Sequence, residues 1–166
     1  MGEIRLLDPK DASMYQEIRL AALKANPEAF SSSYEEELEY SLEKFESRLN
    51  FDHVYTFGAF EDTRLIGVVT LILETRNKTK HRATIVAMYV YSEHQKAGVG
   101  KNLMSEAIQL AKELERIEQI NLTVTSTNVP AKRLYNSLGF TTYGVDKRAL
   151  KIEGQYFDDE LMVRFV

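Results

Sequence analysis

The stretch Gln95-Lys96-Ala97-Gly98-Val99-Gly100 places two glycines where an extended apolar segment gives way to a helix-forming one. Such a loop aims several backbone N–H groups and the positive end of a helix at one point, which is what a phosphate group requires, and glycine lets a ligand approach the main chain closely. The same residues also serve as a plain tight turn, and the loop alone does not separate the two uses. It does disfavour two common nucleotide motifs. No Gly-Lys-Ser/Thr closes it as in a P-loop, and the Gly-x-Gly-x-x-Gly fingerprint would need glycine at position 103, which is Leu103. His53, His81 and His94 lack ligand spacing and the chain has no cysteine, so neither a metal site nor thiolate catalysis by the protein is expected.

The elements that must hold this loop follow from periodicity. Ala83 to Tyr91 is a largely apolar strand entering it, and Leu103, Ala107, Leu110, Ala111 and Leu114 mark the buried stripe of a long helix leaving it, with Lys101, Glu106, Lys112, Glu113 and Glu115 on the wet side. Upstream, Glu3 to Leu7 alternates as a strand, and Asp8-Pro9 caps a helix running to about Ala25 before Asn26-Pro27 ends it. Ser33 and Glu36 form a capping-box pattern, and Leu38, Leu42, Phe45 and Leu49 then predict a single second amphipathic helix. Val54 to Phe60 and Arg64 to Glu74 read as a hairpin about Glu61-Asp62-Thr63. Downstream, Ile120 to Thr125 is a strand, Asn128-Val129-Pro130 opens a short helix that carries Tyr135, Gly139 ends it, and Phe140 to Leu150 and Gln155 to Phe165 form two last strands.

The 166 residues, 44% hydrophobic, suit one domain over 1–166, without repeat or linker. The mixed order of strands and helices predicts an α+β fold with a mixed sheet. Net charge is -4 with both signs interspersed, so no nucleic-acid partner is expected. No run approaches the roughly 20 apolar residues of a membrane span, and the opening residues lack a signal-type stretch, so a cytoplasmic protein without membrane contact is expected.

Taken together, Met88-Tyr89-Val90, Gln95-x-x-Gly98-x-Gly100, Asn128 and Tyr135 seven residues apart, and the pair Gly139-Phe140 resemble the GNAT N-acetyltransferase superfamily. The resemblance covers essentially the whole chain in element order. It implies a mixed, mostly antiparallel twisted sheet of about seven strands flanked by about four helices and splayed at an acetyl-CoA site. In that scheme Met88, Tyr89 and Val90 present backbone groups to the pantetheine arm, and Gln95, Lys96, Ala97, Gly98, Val99, Gly100 and Lys101 wrap the pyrophosphate. The lysines add charge complementarity or are ordinary solvated residues. Asn128 touches the arm near its thioester end, a role compatible with a plain helix N-cap. Tyr135 contacts the cofactor and gives a proton to the departing thiolate, which an ordinary tyrosine pKa near ~10 would suit, unless it is only a core aromatic.

The reaction so implied is direct attack of a neutral amine on the thioester, with the N–H at Val90 or nearby stabilising the developing oxyanion. A base is needed, yet the usual strand positions carry Thr84, Val86, Thr123 and Thr125 instead of a carboxylate. Glu74, the run Glu35-Glu36-Glu37, and Tyr89 or Ser126 through a water stay open as candidates. The segment between the first two helices, with Phe30, Ser31, Ser32 and Tyr34, is expected to line the pocket for a small-molecule or peptide amine. The acids Glu35 to Glu37 and Glu39 either attract a cationic amine or form an exposed helix face. A catalytically silent acetyl-CoA sensor is the alternative function, and a homodimer through the late strands and a monomer are equally consistent with the sequence.

Overall fold

Where branched and aromatic residues alternate, the chain forms strands. In the computed structural model, which describes residues 2–166, Glu3–Leu6 (β1), Val54–Glu61 (β2), Arg64–Leu73 (β3), Arg82–Val90 (β4), Gln119–Thr125 (β5), Thr141–Ile152 (β6) and Gln155–Phe165 (β7) join one sheet of order β1-β2-β3-β4-β5-β7-β6. Every neighbouring pair is antiparallel except β4 and β5. The helices are Ala12–Ala25 (α1), Tyr34–Leu38 (α2), Leu42–Arg48 (α3), Val99–Glu113 (α4) and Val129–Ser137 (α5). Because side chains alternate across a strand, Val68 joins the core under α1 and α3 with Ile18 and Phe45, while Val69 joins the core under α4 and α5 with Leu103, Met104 and Phe140. The result is an α+β layer with helices on both faces. No helix among the described residues is long and apolar enough to cross a membrane.

Two helix expectations are corrected. Pro9–Asp11 is a 3₁₀ turn capped by Asp8, and α1 begins only at Ala12. The single helix expected from Ser33 to Leu49 is broken into α2 and α3, which raises the helix number among the described residues to five. The Ser41 side chain accepts a hydrogen bond from the Lys44 N–H and so starts a new helix inside the apolar period. In consequence Leu38 and Leu42 are exposed, whereas Phe45 is fully buried. Glu37, expected on a wet face if not used to draw in an amine, is instead completely buried, with Arg19 of α1 and Arg48 of α3 on its two oxygens at 2.8 and 3.0 Å. A buried charge needs such partners, and here they knit three helices together.

One irregularity shapes the site. β4 and β5 pair only from Arg82–Thr84 to Gln119–Asn121, and beyond those residues the strands part. On its other edge β4 bulges: Val68 lies opposite Tyr89 but Thr70 opposite Val86, and Ala87 takes φ 57. An extra residue of this kind bends a strand and increases its twist. Here it carries Met88–Val90 away from β5 and opens the sheet.

Candidate active site

The gap between the parted strands is a cleft of about 940 Å³ that runs through the sheet. On the side of α4 and α5 its wall includes Met88, Gly98, Gly100, Asn128 and Tyr135; on the side of α1 it includes Arg19, Glu28, Phe30 and Ser31. Of the residues expected from sequence at the cofactor, Tyr89, Val90, Gln95, Lys96, Val99 and Lys101 also line it, and Ala97 does not.

The loop geometry explains the glycines. Lys96 at φ 70 and Gly98 at φ 81 are both left-handed, and left-handed residues in a turn aim successive N–H groups into one concavity. A Cβ built on Gly98 would meet nothing within 4 Å, so that position faces open space, whereas one on Gly100 would meet Met88 Cε at 3.1 Å. Gly98 is the N-cap of α4 and no side chain caps it, so the first N–H groups of a 15-residue helix have no partner of that kind. The site therefore offers an anion free donors, a helix dipole and room.

Gln95 does something that sequence reasoning did not anticipate. Its side-chain amide donates to the Val90 carbonyl at 2.8 Å, fastening the loop to the end of β4. The Tyr91 N–H donates to Ile66 of β3, and N–H directions alternate along a strand, so the Val90 N–H faces the gap left by β5. A donor aimed into the cleft is thus available where a carbonyl oxygen would need one.

Tyr135 is held from three directions. Asn128 accepts from the Ala131 N–H and caps α5, Lys132 pairs with Glu160 of β7 at 2.6 Å, and Phe140 meets the Tyr135 ring edge-on at 6.2 Å. Its hydroxyl does not keep the ordinary value expected from sequence. Burial pushes it up to about 12, so it stays protonated at neutral pH and acts as a donor, not a base.

On the opposite face, Thr125 donates its hydroxyl to the Glu28 carbonyl at 2.9 Å and ties the segment after α1 to the end of β5. Phe30 lies under Arg19 at 4.7 Å. The structure brings Phe30 and Ser31 to the cleft but not Ser32 or Tyr34, because the chain turns there to start α2. Ser32 lies close enough to Glu37 to help hold its carboxylate charged, and the Tyr34 ring lies beneath Lys24. Among the carboxylates named from sequence, Glu37 is locked in its ion pairs, Glu36 caps α2, and Glu74 and Glu35 are not part of the cleft wall. Tyr89 is part of it and Ser126 is not.

A carboxylate that sequence reasoning missed is there. Asp159 of β7 lies opposite Thr125 of β5 and lines the cleft on the side of α1. Burial, and then the negative charges of Asp146 and Asp158, hold its carboxyl above the usual range. Its signal in the sequence is an acid at the centre of an apolar alternation, Phe157-x-Asp159-x-Leu161-x-Val163.

Among the described residues no cluster of three or more His, Asp or Glu is arranged to hold a metal ion. The sequence model of the acetyltransferase (GNAT) family matches residues 17–140. The L-amino acid N-acetyltransferase AaaT of Escherichia coli (strain K12) is 31% identical over 103 residues, 62% of this chain and 63% of that protein, so the match spans just under two thirds of the relative's length. A GNAT-family acetyltransferase structure from Streptococcus pneumoniae superposes with TM-score 0.89 at 24% identity, covering 100% of both chains. The structure of yncA from Salmonella typhimurium with its cofactor acetyl-CoA superposes with TM-score 0.81 at 20% identity over 99% of this chain and 94% of that one. These two show the shared fold; the family assignment rests on the sequence match, which runs from α1 through the loop and α5 to Phe140, and by it the chain belongs to the GNAT acetyltransferases, a family of acyl-transferring enzymes.

Proposed function

We propose that the protein transfers the acetyl group of acetyl-CoA to a primary amine of a small molecule or peptide by direct attack on the thioester. The observation that carries this is the parting of β4 and β5 beyond Thr84, which opens one cleft to both faces of the sheet. One mouth has the chemistry of a pyrophosphate site, in the free donors at the start of α4 and the open space at Gly98. Bound there, acetyl-CoA would supply an activated carbonyl. The chain itself would hold the phosphates with the α4 N–H groups, accept the oxyanion at the Val90 N–H, and keep a proton ready on Tyr135 for the leaving sulfur. The other mouth, walled by Phe30, Ser31 and Asp159, would admit the amine.

The test is thiol release from acetyl-CoA with a panel of L-amino acids, spermidine, an aminoglycoside and a short peptide with a free N-terminus. The name of the Escherichia coli relative puts amino acids first in that panel. Turnover with any member supports the proposal; acetyl-CoA binding without turnover assigns the sensor function instead. In the same assay Tyr135→Phe is expected to lower kcat about a hundredfold while leaving the acetyl-CoA Kd within about twofold, because the lost hydroxyl acts on the leaving group and not on binding. A kcat within threefold of wild type would remove Tyr135 from the mechanism.

A further inference from the structure

An amine at neutral pH is an ammonium ion and cannot attack until it loses a proton. Tyr135 cannot take it, since its hydroxyl is held protonated and belongs to the face that carries α4 and α5. Asp159 lies on the other face. Its neighbour Glu160 pairs with Lys132 of α5, and alternation along β7 turns Asp159 the opposite way, toward the α1 side. There it is opposite Thr125, at the point where β5 ends and the cleft is open. Among the described residues no ion pair holds its carboxylate and no hydrogen bond contributes to its charge state. A half-buried carboxylate is normally paired, and this one stands on the cleft wall without a cationic partner among the described residues.

We propose that Asp159 is the catalytic base that takes the proton of the acceptor ammonium. This rests on the acetyl-transfer function proposed above. The ammonium gives one proton to Asp159; the freed nitrogen forms the C–N bond as the C–S bond breaks. The second nitrogen proton passes to solvent as the amide forms, Tyr135 protonates the departing thiolate, solvent restores Tyr135, and Asp159 returns its proton to solvent. One proton is released in each turnover.

The charged groups around Asp159 suit the task. Asp146 faces it across β6, Asp158 precedes it on β7, and Glu28 and Arg19 stand on the acceptor wall of the same cleft. Burial first, and then the two aspartates, make it a stronger base than an ordinary carboxylate, closer in strength to the amine that it must deprotonate. Glu28 is the rival carboxylate within the cleft wall.

The experiment measures kcat and KM from pH 6 to 10 for wild type, Asp159→Asn and Glu28→Gln with the best acceptor of the amine panel. Asp159→Asn is expected to lower kcat/KM by about 10²–10⁴-fold near pH 7. The deficit should shrink as pH approaches the amine's own pKa, where no base is needed; Glu28→Gln, on the same wall, is expected to change the acceptor KM but to keep the acid limb of kcat. Folding does not confound the result. The raised folded-state pKa makes ionised Asp159 a stability cost that grows once pH exceeds the unfolded value, so Asp159→Asn keeps or raises Tm at pH 7.5 and gains nothing near pH 3. A deficit that does not vary with pH and lies in KM alone would make Asp159 a binding group and overturn the proposal. So would loss of the acid limb in Glu28→Gln with Asp159→Asn unaffected. Absence of turnover by the wild type with every amine overturns the acetyl-transfer function and this assignment with it, whereas an active Asp159→Asn overturns this assignment alone.

Discussion

Gly98→Asp is expected to weaken acetyl-CoA binding at least a thousandfold in calorimetry while the protein stays folded. The added Cβ would meet nothing within 4 Å, so no packing is disturbed. The backbone at φ 81 is left-handed, which costs a side chain roughly 1 kcal/mol, and aspartate is among the residues that tolerate it best. The carboxylate then stands at the uncapped start of α4, where it can itself occupy the free N–H groups. It also faces any incoming phosphate. Two like charges about 4 Å apart at a partly solvated surface repel by about 4 kcal/mol, which is a factor of about a thousand in Kd. Gly98→Ala carries the same backbone strain without the charge, so it should lose less than about tenfold. If Gly98→Asp binds within tenfold of wild type, the loop is a turn and the pyrophosphate lies elsewhere.

The loop was legible because its signal is local. Glycine types and a strand-to-helix change of period within a few residues suffice to expect a tight loop at the start of α4, and the same holds for the Asn128 cap of α5. The gap beyond Thr84, expected from family resemblance alone, arises from a bulge at Ala87, a non-glycine residue in a left-handed conformation that no local rule anticipates. Ser41 defeated the helix pattern because a capping side chain competes with an apolar period, and the period of Leu38, Leu42, Phe45 and Leu49 continues across the break. The burial of Glu37 and the place of Asp159 on the cleft wall were missed for a common reason. Whether a carboxylate is buried, paired or left alone depends on residues brought from other parts of the chain: Arg19 and Arg48 for Glu37, and the Thr125 register for Asp159. A carboxylate read by type alone is assigned to solvent, and in these two cases tertiary structure decides otherwise.

Glu37→Ala carries the largest expected stability effect. Burial by itself would raise the Glu37 carboxyl, but hydrogen bonds from Arg19 and Arg48 outweigh it and bring it down from 4.5 to about 2. A carboxyl lowered in the folded state stabilises the fold at every pH above the unfolded value, and that contribution fades as pH falls from about 4.5 toward 2. The shift corresponds to about 3 kcal/mol. Removing the carboxylate also leaves Arg19 and Arg48 as unmatched charges beside Tyr15 and Phe45, so a loss of about 3–5 kcal/mol is expected, or about 10 °C in Tm. The pH dependence separates this from simple loss of packing. Wild type should lose stability steeply below pH 4.5, and Glu37→Ala should show a shallower acid limb that converges on wild type near pH 2. Function should follow on one side of the cleft only. Arg19 is part of the cleft wall proposed to admit the amine and stacks on Phe30, so its release should raise the acceptor KM, whereas the α4 loop on the far side of the sheet should keep its acetyl-CoA Kd. A variant that loses both equally would mean that the trio supports the whole sheet, and one that loses neither would mean that Arg19 and Arg48 find other partners.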